Sequence, residues 1–249
     1  MPAQYKAPIS RDTIVDVVEK NGNGLNKRTS KLGDELEHRD DDHLRLIFAD
    51  PQIPHKDLKS LENLLPWGFR KMIGRTAGGG TGCCTSLANG RVEHVSWFFF
   101  LWQVLEGVES TSRGPRPCTR WSYIDVLISW NSETNVTMIL YLGDLGKMTS
   151  SLRSKLEAAV RSGEVWRDPY AWHRLIIDEV DEIYNGRVWA LQEFIGRVES
   201  DRSPDFYDFD LMHDIGRLLI QSNEVLESAT ASRTRSILLS TSLHSEMVS

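Results

Sequence analysis

His38, Asp40, Asp41, Asp42 and His43 crowd imidazoles and carboxylates into one short stretch, and such donors could hold a divalent ion. Near-consecutive residues in a loop seldom converge on one ion, so a solvated charge run is the simpler reading. A second acidic group, Asp178, Glu179, Asp181 and Glu182, lies beside an apolar stripe on what reads as a long helix, where a solvent-facing surface is the plain explanation. His173 and His213 would be catalytic only with a nucleophile and an orienting acid beside them. Spacing shows neither, so both read as packing or helix-surface histidines. Residues 76–90 are glycine-rich, but a phosphate-cradling loop needs lysine and then serine or threonine after its last glycine. Gly82 is followed by Cys83, and the stretch reads as a flexible loop. Cys83, Cys84 and Cys118 make neither a disulfide framework nor a zinc knuckle. With no local catalytic signature in the chain, the expectation is a protein that is not an enzyme.

The bulk properties narrow the classes. A chain of 249 residues with 40% hydrophobic and 26% charged residues is ordinary for a globular protein. Its net charge of −6 supplies no basic footprint, so no nucleic acid is expected as partner. Residues 1–10 lack the apolar stretch of a secretory signal, which points to a cytoplasmic chain and leaves the sequon at Asn135 without meaning. The most apolar run, 95–105, falls well short of the roughly 20 residues that a membrane-spanning helix needs, and reads as a buried strand or core helix.

The elements that must position these residues follow from periodicity. Residues 1–42 read as a flexible N-terminal segment of turns and charged loop. Order begins with a strand over 44–49, stopped by Asp50-Pro51. Leu58, Leu61, Leu64 and Leu65 predict a helix ending near Pro66. Ile124, Val126, Ile128 and Trp130 alternate with Tyr123, Asp125, Leu127 and Ser129, and Val136, Met138, Leu140 and Leu142 resume the alternation, predicting an antiparallel hairpin over 123–129 and 136–142. From Thr149 the period becomes helical. A helix is expected over 149–161, and a second over 169–199, opened by Asp168-Pro169. A third over 208–227 follows Ser203-Pro204 and forms an antiparallel helical hairpin with the second. Val180, Ile183, Leu191 and Ile195 would face Leu211, Ile215, Leu218 and Leu226 across it. The fold class is thus α+β or α/β, a mixed sheet layer followed by a long antiparallel helical hairpin. Its divisions are 1–42 flexible, 43–147 sheet-containing, 148–230 helical and 231–249 a disordered tail.

This order, with the run Asp168-Pro169-Tyr170-Ala171-Trp172-His173-Arg174-Leu175-Ile176-Ile177-Asp178-Glu179-Val180, resembles the cytosolic domain of CorA-like divalent-cation transporters, most closely their divergent fungal members. The pieces that carry the likeness are 44–73, 121–144 and 166–229, with Tyr184, Trp189 and Leu211-Met212-His213 among them. The resemblance implies a regulatory head that senses magnesium through carboxylates between subunits, and hard oxygen ligands on a helix suit a hydrated magnesium ion. It makes Asp178, Asp181 and Glu182 the candidate metal residues, weak regulatory Mg2+ the candidate cofactor, and a homo-oligomer or full-length CorA-like relatives the partners.

The family's transport element, a Gly-Met-Asn loop after the first of two membrane helices, is missing here, and the chain ends at Ser249 where a stalk helix would begin. The expectation is a head-like fragment that conducts no ions by itself, cytoplasmic as given and membrane-associated if it belongs to a longer transporter. The alternative is a soluble interaction module of the same fold without ion chemistry. The long helix over 169–199 cannot substitute for a span. It carries Asp178, Glu179, Asp181, Glu182, Arg187, Glu193 and Arg197, each costing about 2.5–3.5 kcal/mol near a bilayer centre.

Overall fold

The computed structural model describes residues 11–21, 24–37, 44–49, 61, 63–73, 80–88, 91–111, 114–131, 133–134, 136–143, 147–162, 169–200 and 216. In chain order the elements are β1 (Ile14–Asn21), β2 (Gly24–Lys31), α1 (Leu32–Glu37), β3 (Leu44–Ala49), α2 (Trp67–Met72), β4 (Gly80–Ala88), β5 (Arg91–Thr111), β6 (Gly114–Asn131), β7 (Thr137–Gly143), α3 (Lys147–Ser162) and α4 (Pro169–Ser200). The strands form one mixed sheet in the order β2-β1-β3-β7-β6-β5-β4. All neighbours are antiparallel except β3 and β7, which run parallel with Leu44 beside Thr137 and Ala49 beside Leu142.

Both faces of the sheet are covered. On one face Phe98, Phe100, Ile124, Val126, Ile128, Ile139 and Tyr141 pack against Leu156 and Val160 of α3 and Trp172, Ile176, Val180 and Ile183 of α4. On the other, Val15, Val17, Ile47, Leu127, Leu140 and Leu142 meet Leu32 of α1, Leu61 and Leu65 of the turn before α2, and Phe69 of α2. A strand buried on both faces has no polar side to show, which is why LRLIFA in β3 is buried at every position. Gly68 and Gly82 are required by the Trp97 indole, since a Cβ on either would approach its ring atoms to 2.4 and 2.5 Å.

The strand over 44–49, the antiparallel pairing of the strands expected at 123–129 and 136–142, and the start of α4 at Pro169 stand as the alternation and the Pro169 signal put them. β6 reaches back to Gly114, and α3 starts at Lys147, two residues before the expected position. The 95–105 run is strand, inside β5. Three expectations are corrected. Residues 14–37, read as flexible, supply two strands and a helix, because β1 buries Val15, Val17 and Val18 and the polar β2 needs only one strand neighbour at the sheet edge. Within 76–90, residues 80–88 are strand β4 rather than loop. At the end of the expected leucine helix, residues 61 and 63–65 form a turn rather than an α-helix, with the Leu64 and Leu65 N–H groups donating to the Leu61 carbonyl at 3.0 and 3.1 Å, while Leu58 lies outside the described residues. The helix α2 begins after the proline, whose fixed φ serves as its entry.

In α4, Val180 and Ile183, two of the four residues assigned to a helical seam, bury into the core shared by the sheet and α3. The expected partner helix over 208–227, with Leu211, Ile215, Leu218 and Leu226, and the 231–249 tail lie outside the described residues, Gly216 excepted.

Candidate functional site

Asp178, Asp181 and Glu182 sit at positions i, i+3 and i+4 of α4 and therefore share one surface of the helix. Asp178 and Glu182 are exposed, Asp181 half-buried, and Glu179 buried. Lys155 of α3 reaches across to Glu179 and, at 2.8 Å, to Glu182. The hydrogen bonds it donates to Glu179 and then to Glu182 raise the Lys155 ammonium above its ordinary value, so this cation is held in its charged form. Asp178 has Arg174 one turn back at 3.8 Å. Among the described residues no three His, Cys, Asp or Glu side chains converge to hold a metal ion. The three candidate carboxylates thus share a face without a further described ligand converging on them, and the charge beside them is already partly matched. His38 to His43 and His213 lie outside the described residues.

His173 is buried under α4, and its Nε2 lies 2.6 Å from the Ser96 hydroxyl of β5. Its ring stands edge-on to Phe98, with centroids 4.7 Å apart. Two residues before Ser96, His94 occupies the same strand face, its Nδ1 2.9 Å from the Thr85 hydroxyl of β4. Burial first, and then the neighbouring His94, push His173 down to about 3, and burial alone lowers His94. A hydroxyl touching an imidazole is the beginning of a nucleophile and base pair. A general base works best near the ambient pH, however, and burial holds His173 far below it. The cluster fits polar packing that ties α4 to β5 and β4. His94 and Ser96 were hidden in the sequence by the aromatic run around them, although the period-two series His94, Ser96, Phe98, Phe100 marks a single strand face.

Asp125 is the most unusual polar group in the sheet. It sits in β6 between Phe99 of β5 and Leu142 of β7, is 0% exposed, and neither carboxyl oxygen has a hydrogen-bond partner among the described residues. Burial pushes its carboxyl well above the usual carboxylate range. A folded value above the unfolded one means the contribution of the neutral acid is intact below the ordinary range and is lost as pH rises through the raised value. Asp125→Asn keeps the shape and cannot ionise. Urea unfolding should find it about as stable as wild type near about pH 4 and about 1–3 kcal/mol more stable at about pH 8.

A fourth group is an ion-pair square at the β1–β2–β3 end of the sheet. Arg28 donates to Glu19 at 2.8 Å and to Glu35, while Arg45 donates to Glu19 at 3.0 Å and to the Glu35 carbonyl at 3.2 Å. Burial works to raise the Glu19 carboxyl, but the hydrogen bonds and charges of Arg28 and Arg45 outweigh it and hold Glu19 below its ordinary value. The two guanidiniums face two carboxylates, and the square fastens α1 to the sheet. No family model matches this chain, and no curated protein matches it.

Proposed function

We propose that this chain works as a regulatory-head-like domain of the CorA-like type, one that binds and signals and conducts no ions by itself. The observation that carries the reading is the order of the fold: a mixed sheet closed by the β6–β7 hairpin, then α3, then the 32-residue α4 opening at Pro169. None of the described helices is long and apolar enough to cross a membrane, which agrees with a domain that acts through partners. Those partners would be a second copy or a full-length relative, met in the cytoplasm or at a membrane that the relative spans. In this reading magnesium is a weak regulatory ligand of Asp178, Asp181 and Glu182. Because no three metal-ligating side chains converge here among the described residues, this reading adopts the arrangement the resemblance implies, with carboxylates of a neighbouring subunit completing the site.

A second reading, an interaction module of the same fold without ion chemistry, is favoured by one observation: Lys155 already engages Glu179 and Glu182, and Arg174 stands by Asp178. Thermal melting in rising magnesium chloride, against potassium chloride of matched ionic strength, separates the two. As a sensor head, wild type should gain stability with magnesium as ligand linkage requires, while a variant combining Asp178→Asn, Asp181→Asn and Glu182→Gln should not. Equal behaviour of the two proteins would remove the sensor reading and leave the interaction module.

A further inference from the structure

The sheet has two edges, and they are built differently. β2 closes one side with Lys27, Arg28 and Lys31 along its length, and such charges discourage a further strand from pairing. β4 closes the other side as GTGCCTSLA, with no charged residue and no proline. Among the described residues it pairs only with β5, and Cys83, Cys84, Thr85 and Ser86 are exposed. Trp97, seated over Gly82, and the Thr85 to His94 hydrogen bond hold this strand to the sheet from its two faces. An uncharged, anchored edge of this kind offers outward-pointing N–H and C=O groups to another strand.

We propose that β4 is the interface between two copies of this chain, joined as antiparallel edge strands about a two-fold axis at Cys84. The register follows from symmetry. A two-fold axis perpendicular to the sheet leaves every side chain on its own face, so it must pass between identical residues. Full overlap of Gly80–Ala88 with itself puts the axis at the middle residue, Cys84. A second copy also suits the charge of this edge. The molecule carries −6, yet the strand itself is neutral and adds no repulsion where the copies meet. Strand pairing of this length brings on the order of ten hydrogen bonds, as many as an ordinary interface, but little apolar burial, so the dimer is weak. The inference stands apart from the regulatory-head reading, because it rests on the sheet edge alone.

Directly opposed antiparallel residues have Cα atoms about 4.5–5.5 Å apart, inside the range a disulfide spans. The dyad can therefore be trapped with diamide, which takes the two thiol hydrogens of the paired Cys84 residues to become a hydrazine and leaves one disulfide. Non-reducing gels should show covalent dimer for wild type, Cys83→Ser and Cys118→Ser, and should lose it for Cys84→Ser. In reducing buffer, sedimentation of wild type across high micromolar concentrations should show reversible dimer, and Ser86→Lys should shift it to monomer with unchanged circular dichroism. If Ser86→Lys does not fold, the cysteine series decides alone. Monomer at every concentration, dimer indifferent to a folded Ser86→Lys, or cross-linking that survives in Cys84→Ser would each overturn the proposal. Pairing with an unrelated strand would appear as monomer here.

Discussion

Trp172→Ala is expected to destabilise the protein by about 3–5 kcal/mol, the usual cost of removing a fully buried large aromatic side chain, whereas Trp189→Ala should change stability by less than about 0.5 kcal/mol. Both tryptophans lie on α4, and the helix period separates them. Trp172 is 0% exposed and packs with the strand residues Phe98 and Phe100 and with Ile176 and Val180, while Trp189 is 67% exposed. Chemical denaturation of the two variants measures the difference. Equal losses would mean that α4 is not held by the face that carries Trp172, Ile176, Val180 and Ile183.

Arg45→Met should cost about 3 kcal/mol, the lower end of what removing one partner of a buried ion pair costs. Arg45 and Glu35 are 7% and 3% exposed at their side chains, so the carboxylates left behind remain out of water. The loss stays at the lower end because Arg28 still reaches Glu19 and Glu35. The double variant Glu19→Met with Arg45→Met should be less destabilised than the sum of the single variants, since it removes a charge of each sign together. Additive losses in that cycle would show that the two side chains act separately.

What the sequence disclosed depended on how a strand is covered. The hairpin of β6 and β7 was legible because its apolar residues alternate, and β3 because it is a short apolar run before Asp50-Pro51. Alternation such as that of β6 is the pattern of a strand with one solvated face, where an aspartate is ordinary. In the sheet the Asp125 face is dry, shared with Leu127, Leu140 and Leu142 and covered by Leu61, Leu65 and Phe69, and nothing local to the strand signals a layer supplied by so distant a segment of the chain. β2 and β4 were missed for the opposite reason. An edge strand owes its place to backbone pairing with one neighbour, and the polar GLNKRTSK and the glycine-rich GTGCCTSLA carry no hydrophobic period to reveal it. The acidic side of α4 was plain in the sequence, but Lys155, which answers it from α3, lies 27 residues from Glu182. The contact of Ser96 with His173 joins two distant elements, and no spacing rule anticipates it.

The parallel contact of β3 with β7 divides the sheet into two parts of different origin. On one side β1, β2 and β3 are sequence neighbours, and on the other β4, β5, β6 and β7 follow one another as an antiparallel meander. Each part can assemble from short-range contacts, but their junction sets Leu44 beside Thr137 and closes a loop of about ninety residues, the kind of long-range pairing that slows folding. Until it closes, LRLIFA and TMILYLG are open apolar strands in the nascent chain, the type of segment that draws molecules into aggregates. The hazard during biosynthesis therefore sits at the centre of the finished sheet, in strands that are the least accessible once it has formed.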